Sequence, residues 1–144
     1  MNVREITKDK PLHTIAPDKT VQDAIAVLCQ HNIGALPVCE KTGELAGIIT
    51  ERDVLRLCAS PDCQKALQQR VADVMTRDLV ICVPDDSIES AMHVMTAKRI
   101  RHLPILDGRK LVGVLSIGDV VKAKLDQSDT EIRFLRDYVA GSGG

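Results

Sequence analysis

The chain contains 144 residues with a formal net charge of −1 and only two aromatic side chains, Phe134 and Tyr138. This length suffices to bury a hydrophobic core without disulfides or a structural metal. The balanced charge offers no electrostatic footprint for DNA or RNA, and single-strand binding usually needs aromatic stacking platforms. We therefore expect no nucleic-acid partner, and a core made from aliphatic side chains and methionine.

The cysteines and the N-terminal residues restrict the cellular compartment. The five cysteines are an odd number without CxxC spacing, so we expect small core hydrophobes in a reducing cytoplasm. Residues 1–15 carry no apolar signal core, and no apolar stretch approaches membrane-spanning length. The sequence thus predicts a cytoplasmic protein without a membrane partner or a metal site.

An internal repeat organises the chain. Residues 14–38 align with residues 81–105 at an offset of 67, and residues 45–56 align with residues 111–122 at an offset of 66. Turns and apolar stripes match as well, which indicates one unit written twice. The matched pairs include Pro17 and Pro84, Gly47 and Gly113, Thr50 and Ser116, and Asp53 and Asp119.

Each copy predicts the same order of elements. A short β run is followed by a helix whose N-cap is Thr20 or Ser87. Its apolar residues recur at i, i+3, i+4 and i+7, the spacing of a helix face that packs into a core. Two short strands joined by a polar turn come next, and a second helix begins near Glu51 or Ile117. The predicted helix faces are Val21, Ala24, Ile25 and Leu28, and Ile88, Ala91, Met92 and Met95; the predicted strands are 35–39, 45–50, 102–106 and 111–116.

The fold class that follows is α/β (α+β), with two β-α-β-β-α repeats. They should pack around a pseudo-two-fold axis, because a unit this small exposes one apolar sheet face. We expect repeat 1 over residues 1–59, a partly helical connecting segment over 60–70, and repeat 2 over 71–127. Residues 128–144 should form an amphipathic C-terminal helix and a flexible Gly-rich tail. The apolar side of that helix is Ile132, Leu135 and Val139.

A polar corner follows the last strand of each repeat, with a hydroxyl first and a carboxylate three residues later. The two corners are Thr50 with Asp53 and Ser116 with Asp119. One interpretation is a capping box, which satisfies early helix N–H groups and places an acid at the positive end of the helix dipole. The other is a ligand site, since a helix start suits phosphate and a carboxylate accepts from ribose hydroxyls. The repeat leaves both open, because duplication would also copy a cap.

Taken together, these motifs resemble the cystathionine-β-synthase (CBS) domain. They are the Pro-x-x-Thr/Ser helix start, the Leu-Pro-Val/Ile strand and the Gly-apolar-apolar-Thr/Ser-x-x-Asp corner, present twice in order over nearly the whole chain. The tandem arrangement resembles a CBS pair, or Bateman module, as a stand-alone protein. The resemblance implies adenosine-containing ligands (AMP, ADP, ATP, NAD(H) or S-adenosylmethionine) in clefts between the repeats. It also implies disc-shaped homodimers of pairs.

The resemblance further implies roles for residues at matching positions. Asp53 and Asp119 would hold ribose, and Thr50 and Ser116 would hold phosphate. The segment before the first strand of a repeat would line the adenine pocket, and the start of the next strand would add contacts that are basic in repeat 2. The other predicted site residues are Thr14, Ala35, Pro37 and Arg52 in repeat 1, and Thr76, Asp78, Val80, Ile100, Arg101, His102 and Pro104 in repeat 2.

Repeat 2 matches the family pattern more fully than repeat 1. It has a Met-Thr-Arg-Asp segment before its first strand, a pattern that the corresponding Lys8–Thr14 stretch of repeat 1 lacks. It also has the Arg101–His102 pair, where repeat 1 has the small, uncharged Gly34 and Ala35. The other interpretation of Arg101 and His102 is that both side chains are simply solvated at the start of a strand. If a single cleft binds tightly, we expect the one that Ser116 and Asp119 line.

Three classes of function follow from these observations. The leading hypothesis is a regulatory module, without a catalytic cofactor, that binds an adenine nucleotide and signals energy or redox state to an unidentified protein. The alternative is a structural dimerisation module whose polar corners are only helix caps. An enzyme would need a nucleophile–base pair, a metal cluster or paired carboxylates in a cleft. The sequence shows no convincing set of these, so we assign no catalytic residue.

Overall fold

The computed structural model describes residues 1–142; Gly143 and Gly144, part of the predicted flexible tail, lie outside the described residues. In chain order the elements are α1 (Val3–Thr7), α2 (Val21–His31), β1 (Ala35–Cys39), β2 (Leu45–Thr50), α3 (Glu51–Cys58), α4 (Cys63–Ala66), α5 (Val71–Val74), α6 (Ile88–Lys98), β3 (His102–Asp107), β4 (Lys110–Ser116) and α7 (Ile117–Ser142). The hairpins β1–β2 and β3–β4 form two separate antiparallel sheets. The predicted mixed fold of two equivalent units is confirmed.

Helices α2 and α6 begin and end at equivalent positions of the repeat. The side-chain oxygens of Thr20 and Ser87 each accept from the backbone N–H three residues later. Both helices end in a left-handed residue, Asn32 with φ 52° and Arg99 with φ 55°. The fully buried residues of the two predicted faces are Val21, Ala24 and Leu28, and Ile88, Ala91 and Met95.

The predicted first β run of each repeat is reduced to a single bridging residue. Ile15 pairs with Val38, and Cys82 pairs with Ile105, both in the parallel sense. A proline follows two residues later in both repeats. Because proline cannot donate to a β ladder, the pairing ends there.

The predicted C-terminal helix is continuous with the last helix of repeat 2. Helix α7 runs for 26 residues through Ser142, since no glycine or proline interrupts residues 119–140. Val120 and Ala123 anchor its first turns in the core of repeat 2. The described side chains from Asp126 onward are all exposed, so the second half of the helix projects from the body.

The core of repeat 1 is completed by a segment that precedes repeat 2. Val71 of α5 is fully buried, and it packs with Met75 against Ile15, Leu36 and Ile49. The backbone N–H of Val71 also donates to the Lys19 carbonyl at 2.7 Å.

The core of repeat 2 is completed in the same manner by the N-terminal helix. Val3 of α1 is fully buried among repeat-2 residues that include Ile88 and Leu103. The N–H of Val3 donates to the Asp86 carbonyl, and the N–H of Arg4 donates to the Pro84 carbonyl, both at 2.9 Å. The two lead-in segments are therefore exchanged, and each ties one repeat to the other.

The segment after α5 crosses repeat 1 along strand β2. Thr76 and Ile48 exchange two backbone hydrogen bonds of 2.8 and 3.0 Å. Gly47 allows this close approach, because a Cβ there would lie 2.7 Å from the Met75 Sδ and 2.8 Å from the Thr76 carbonyl oxygen. The equivalent Gly113 faces only the Ile105 Cδ1, at 3.3 Å.

The five cysteines are free thiols in the structure, but they are not all core residues. Cys82 is buried, and burial raises the pKa of its thiol to about 12. Cys29 and Cys58 are exposed, so the expectation of core hydrophobes is wrong for these two. Both lie on solvent-facing sides of helices, which helical location alone does not distinguish.

We predict that Gly47→Ala destabilises the fold more than Gly113→Ala does. The first substitution puts a methyl group against the backbone of the crossing segment, which should cost about 1–3 kcal/mol in free energy of unfolding. The second meets only the end of a flexible side chain, so it serves as the matched control. Chemical denaturation of both variants measures the difference, and equal losses would contradict this role of Gly47.

Candidate functional site

Two of the clefts between the repeats contain a polar corner, and residues from both repeats line each of these two. The first cleft, about 720 Å³ in volume, lies between the polar corner of repeat 1 and the strand start of repeat 2. The second cleft, about 410 Å³, lies between the polar corner of repeat 2 and the residues around Lys10 and Gly34.

Most of the predicted site residues line one of these clefts. Those in the first cleft are Thr50, Arg52, Asp53, Thr76, Asp78, Val80, Ile100, Arg101, His102 and Pro104. Those in the second cleft are Ala35, His102, Ser116 and Asp119. Two predicted residues line neither cleft, because Thr14 is exposed at the surface and Pro37 is buried within β1.

The grouping of these residues differs from the one that the sequence suggests. The lining residues of segment 76–80 and Arg101 do not lie together with Ser116 and Asp119. They line the first cleft, opposite Asp53. For residues 76–80 the cause is the exchange of lead-in segments, which carries them from one repeat to the other. His102 borders both clefts.

Both polar corners form complete helix caps. The Asp53 Oδ2 accepts from the Thr50 N–H at 2.9 Å, and the Asp53 N–H donates back to the Thr50 Oγ1 at 3.4 Å. At the other corner, Asp119 Oδ2 and Ser116 make the equivalent bonds at 2.9 and 3.1 Å. The capping interpretation is therefore confirmed. The cap uses one oxygen of each carboxylate. The other oxygen can accept a further hydrogen bond, since a carboxylate can accept from several donors.

The two carboxylates differ in what reaches them across the cleft. The Asp53 Oδ1 accepts from the Thr76 hydroxyl at 3.4 Å, which is a long and weak bond. Asp119 instead forms an ion pair with the Lys10 ammonium, at 2.6 Å from its Oδ2. Burial works to raise the pKa of Asp119, but Lys10 and the two Ser116 donors outweigh it and hold that pKa below its ordinary value.

His102 occupies the wall between the two clefts. A Cβ at Gly34 would lie 3.1 Å from two atoms of its ring and 3.3 Å from the Glu51 carboxyl carbon, so glycine leaves room for both side chains. Burial lowers the pKa of His102, although the nearby Glu51 carboxylate acts in the opposite direction. The imidazole is consequently neutral near pH 7.

The cationic side chains that line the first cleft, called here the cationic rim, outnumber the lining carboxylates Glu51, Asp53 and Asp78. Such an excess, with helix starts nearby, favours a ligand that carries phosphate groups. The lining cations are Arg52, Arg56, Lys98, Arg99 and Arg101.

Sequence reasoning missed several of the charged lining residues. Arg56 could have been found from its position four residues after Arg52, which places both on one face of α3. Lys98 and Arg99 end α6 just before the predicted strand contacts. Lys10 precedes the aligned part of repeat 1, and nothing in the repeat indicates that it reaches Asp119.

The described part of the chain offers neither a metal-binding cluster nor a membrane-spanning helix. Within residues 1–142, His, Cys, Asp and Glu side chains form no group of three or more that could hold a metal ion. Over the same described residues, the helices include none with both the length and the hydropathy that a bilayer crossing demands.

Comparison with known proteins identifies the family. The profile of the CBS domain matches residues 3–60 and 71–126. The CBS domain-containing protein CBSX3, mitochondrial, of Arabidopsis thaliana is 41% identical over 129 residues, which cover 86% of this chain and 62% of that protein. The chain thus spans less than two thirds of the length of this relative.

Two solved structures share both the fold and detectable sequence identity. The CBS domain pair of protein MJ0100, in complex with 5′-methylthioadenosine and S-adenosyl-L-methionine, superposes with a TM-score of 0.79 at 26% identity, over 88% of this chain and 98% of that one. CBSX2 in complex with AMP gives a TM-score of 0.72 at 28% identity, over 83% of this chain and 92% of that one. With two profile matches that span most of its length, the chain belongs to the CBS-domain family and carries two copies of the domain.

Proposed function

We propose that this protein is a regulatory module that binds an adenosine-containing nucleotide in the first cleft. The observation that carries the proposal is the convergence of an apolar slot, a carboxylate at a helix start and a rim of cations on one cavity. A nucleotide needs these three environments for its base, its ribose and its phosphates. Relatives solved with AMP, 5′-methylthioadenosine and S-adenosyl-L-methionine support it, because adenosine is common to the three ligands.

Asp53 is the proposed ribose acceptor. Its Oδ2 holds the cap of α3, which fixes the carboxylate in place before any ligand arrives. Its Oδ1 accepts a weak bond from the Thr76 hydroxyl, which a ribose hydroxyl can replace with a shorter one. A preorganised acceptor binds more tightly, since little conformational entropy is lost when the ligand docks.

The base and the phosphates would lie on opposite sides of Asp53. The adenine ring fits the apolar wall that Ile48, Val80, Ile100 and Pro104 form. The phosphates would lie at the start of α3, where Thr50 and the cationic rim can donate hydrogen bonds. A phosphorylated adenosine such as AMP, ADP, ATP or NAD(H) therefore suits the first cleft better than adenosine alone.

Ligand binding in a cleft between repeats provides a physical route to signalling. A nucleotide that contacts both repeats stabilises the arrangement in which both sets of contacts form. We propose that this arrangement is read by a protein target as a report of energy or redox state, and that the working unit is a homodimer. The five free thiols suit a reducing compartment, for which we propose the cytoplasm. The module itself carries no proposed catalytic role.

We predict that Asp53→Ala weakens AMP binding about tenfold or more, because hydrogen bonds to a charged acceptor contribute about 1.5–3 kcal/mol. The measurement is the AMP-induced rise in melting temperature, supported by calorimetric titration. A ligand at 100 times its Kd stabilises the wild type by about 2.7 kcal/mol, and at least about half of that gain should disappear in the variant.

The control separates loss of the helix cap from loss of the ligand contact. Asp23→Ala removes the equivalent acid of the capping box at the start of α2, on an exposed surface outside both clefts. Each variant should lose a similar free energy of unfolding, about 1 kcal/mol, but Asp23→Ala should respond to AMP as the wild type does. If millimolar AMP, ATP and NADH all leave the wild type unchanged while it remains dimeric, the alternative of a structural dimerisation module is correct.

A further inference from the structure

We infer that Lys10 closes the second cleft to nucleotides, so that each chain binds one ligand and binds it in the first cleft. This inference rests on the proposed function and goes beyond it by assigning the number of sites and the residue that sets it. Three observations support it: the contacts of Lys10, the position of Arg77 in the other lead-in segment and the charge of the second cleft.

Lys10 neutralises the carboxylate of the second cleft. Its ammonium lies 2.6 Å from the Asp119 Oδ2 and 3.0 Å from the Val114 carbonyl oxygen. Both partners of the ion pair are about three-quarters buried, with side-chain exposures of 31% and 25%. A ribose hydroxyl at Asp119 would compete with this charge-assisted hydrogen bond in a partly desolvated place, and a neutral hydroxyl is the weaker donor.

The basic residue of the segment that enters the first cleft, Arg77, is turned away from the carboxylate of Asp53. Its guanidinium donates to the Ala72 carbonyl at 2.8 Å, and Arg77 does not line the first cleft. Asp53 therefore faces the Thr76 hydroxyl, whereas Asp119 faces a cation, although the two corners have the same cap.

The remaining charges of the second cleft also disfavour a phosphate. Once Lys10 is paired with Asp119, the lining side chain with a full charge is the Glu51 carboxylate. The histidines that line this cleft are His13 and His102, and burial keeps His102 neutral near pH 7. The position that corresponds to the first cleft's Arg101 is Gly34. The smaller second cleft thus lacks the cationic rim that makes the first attractive to phosphate.

Calorimetric titration with AMP tests the inference. We expect one AMP per chain for the wild type, and a second, weaker site to appear in Lys10→Met, which keeps the length of the side chain without its charge. The second site should vanish again in Lys10→Met/Asp119→Ala. Arg77→Met is the matched control and should keep a single site, since Arg77 does not line the first cleft.

Each outcome of the titration decides the matter. Two sites of similar affinity in the wild type would overturn the inference, and so would a single site in a Lys10→Met protein that melts cooperatively. A wild type that binds none of AMP, ATP and NADH overturns the proposed function, and this inference with it. One site that is lost in Asp119→Ala and kept in Asp53→Ala overturns the inference while it retains nucleotide binding.

A second inference, independent of nucleotide binding, concerns helix α7. We propose that its exposed apolar seam pairs in parallel with the same helix of a second copy of the chain. The seam repeats at alternating spacings of four and three residues, which is the a/d pattern of a coiled coil. Its apolar members are Val121, Leu125, Ile132, Leu135 and Val139, and the polar Ser128 occupies the remaining position of the pattern.

The occupant of the seam follows from its spacing and its flanking charges. A strict heptad seam is complementary to another seam of the same period, and a second copy supplies one. In a parallel, in-register coiled coil, the residue that precedes each a position faces the partner's residue that follows the next d position. With Ile132 at a and Leu135 at d, these facing residues are Glu131 in one chain and Arg136 in the other, which carry opposite charges.

Sedimentation equilibrium tests this pairing. We expect a wild-type dimer, at least tenfold weaker association for Ile132→Glu, and unchanged association for Phe134→Glu, which alters a residue that is 71% exposed and outside the seam. Arg136→Glu should weaken the dimer, and Glu131→Arg/Arg136→Glu should restore it. A monomeric wild type, an Ile132→Glu dimer of wild-type affinity, dissociation by Phe134→Glu, or no rescue by the double reversal would each overturn the proposal.

Discussion

The structure depends on the reciprocal packing of the two lead-in segments. Neither repeat completes its hydrophobic core with its own residues, since Val71 fills the core of repeat 1 and Val3 fills the core of repeat 2. The exchange makes the stability of each repeat depend on the other, as expected for small units that cannot bury an apolar face alone. It also fixes where the clefts form, because each lead-in segment passes the polar corner of the repeat whose core it completes.

The same exchange explains why two nearly identical corners acquire different chemistry. The corner residues are duplicated, and both form the same helix cap. What differs is the side chain that the crossing segment brings: the Thr76 hydroxyl to Asp53, and the Lys10 ammonium to Asp119. A duplicated cap became two unequal environments through changes in the segments opposite it. His102 and Glu51 stand between them, so the two clefts share a wall.

Much of this could be predicted from the sequence, for physical reasons that also mark where prediction stops. The helix faces, hairpins and caps follow from periodicity and from residues such as Thr20 and Ser87, whose effects are local. The repeat and the family resemblance placed most lining residues at the correct corners and strands. The exchange of segments is a tertiary event that local patterns do not encode, so the assignment of residues 76–80 to a cleft was wrong. Lys10 was missed for the same reason.

The central claim is that the first cleft, assembled by the crossing segment, is the nucleotide site. A crystal structure of the protein with AMP tests it most directly. The account predicts AMP in the first cleft, with its ribose on Asp53, its base beside Val80 and its phosphate near Thr50, and with the Lys10–Asp119 ion pair intact. AMP bound beside Ser116 and Asp119, with Asp53 still bonded to Thr76, would contradict it.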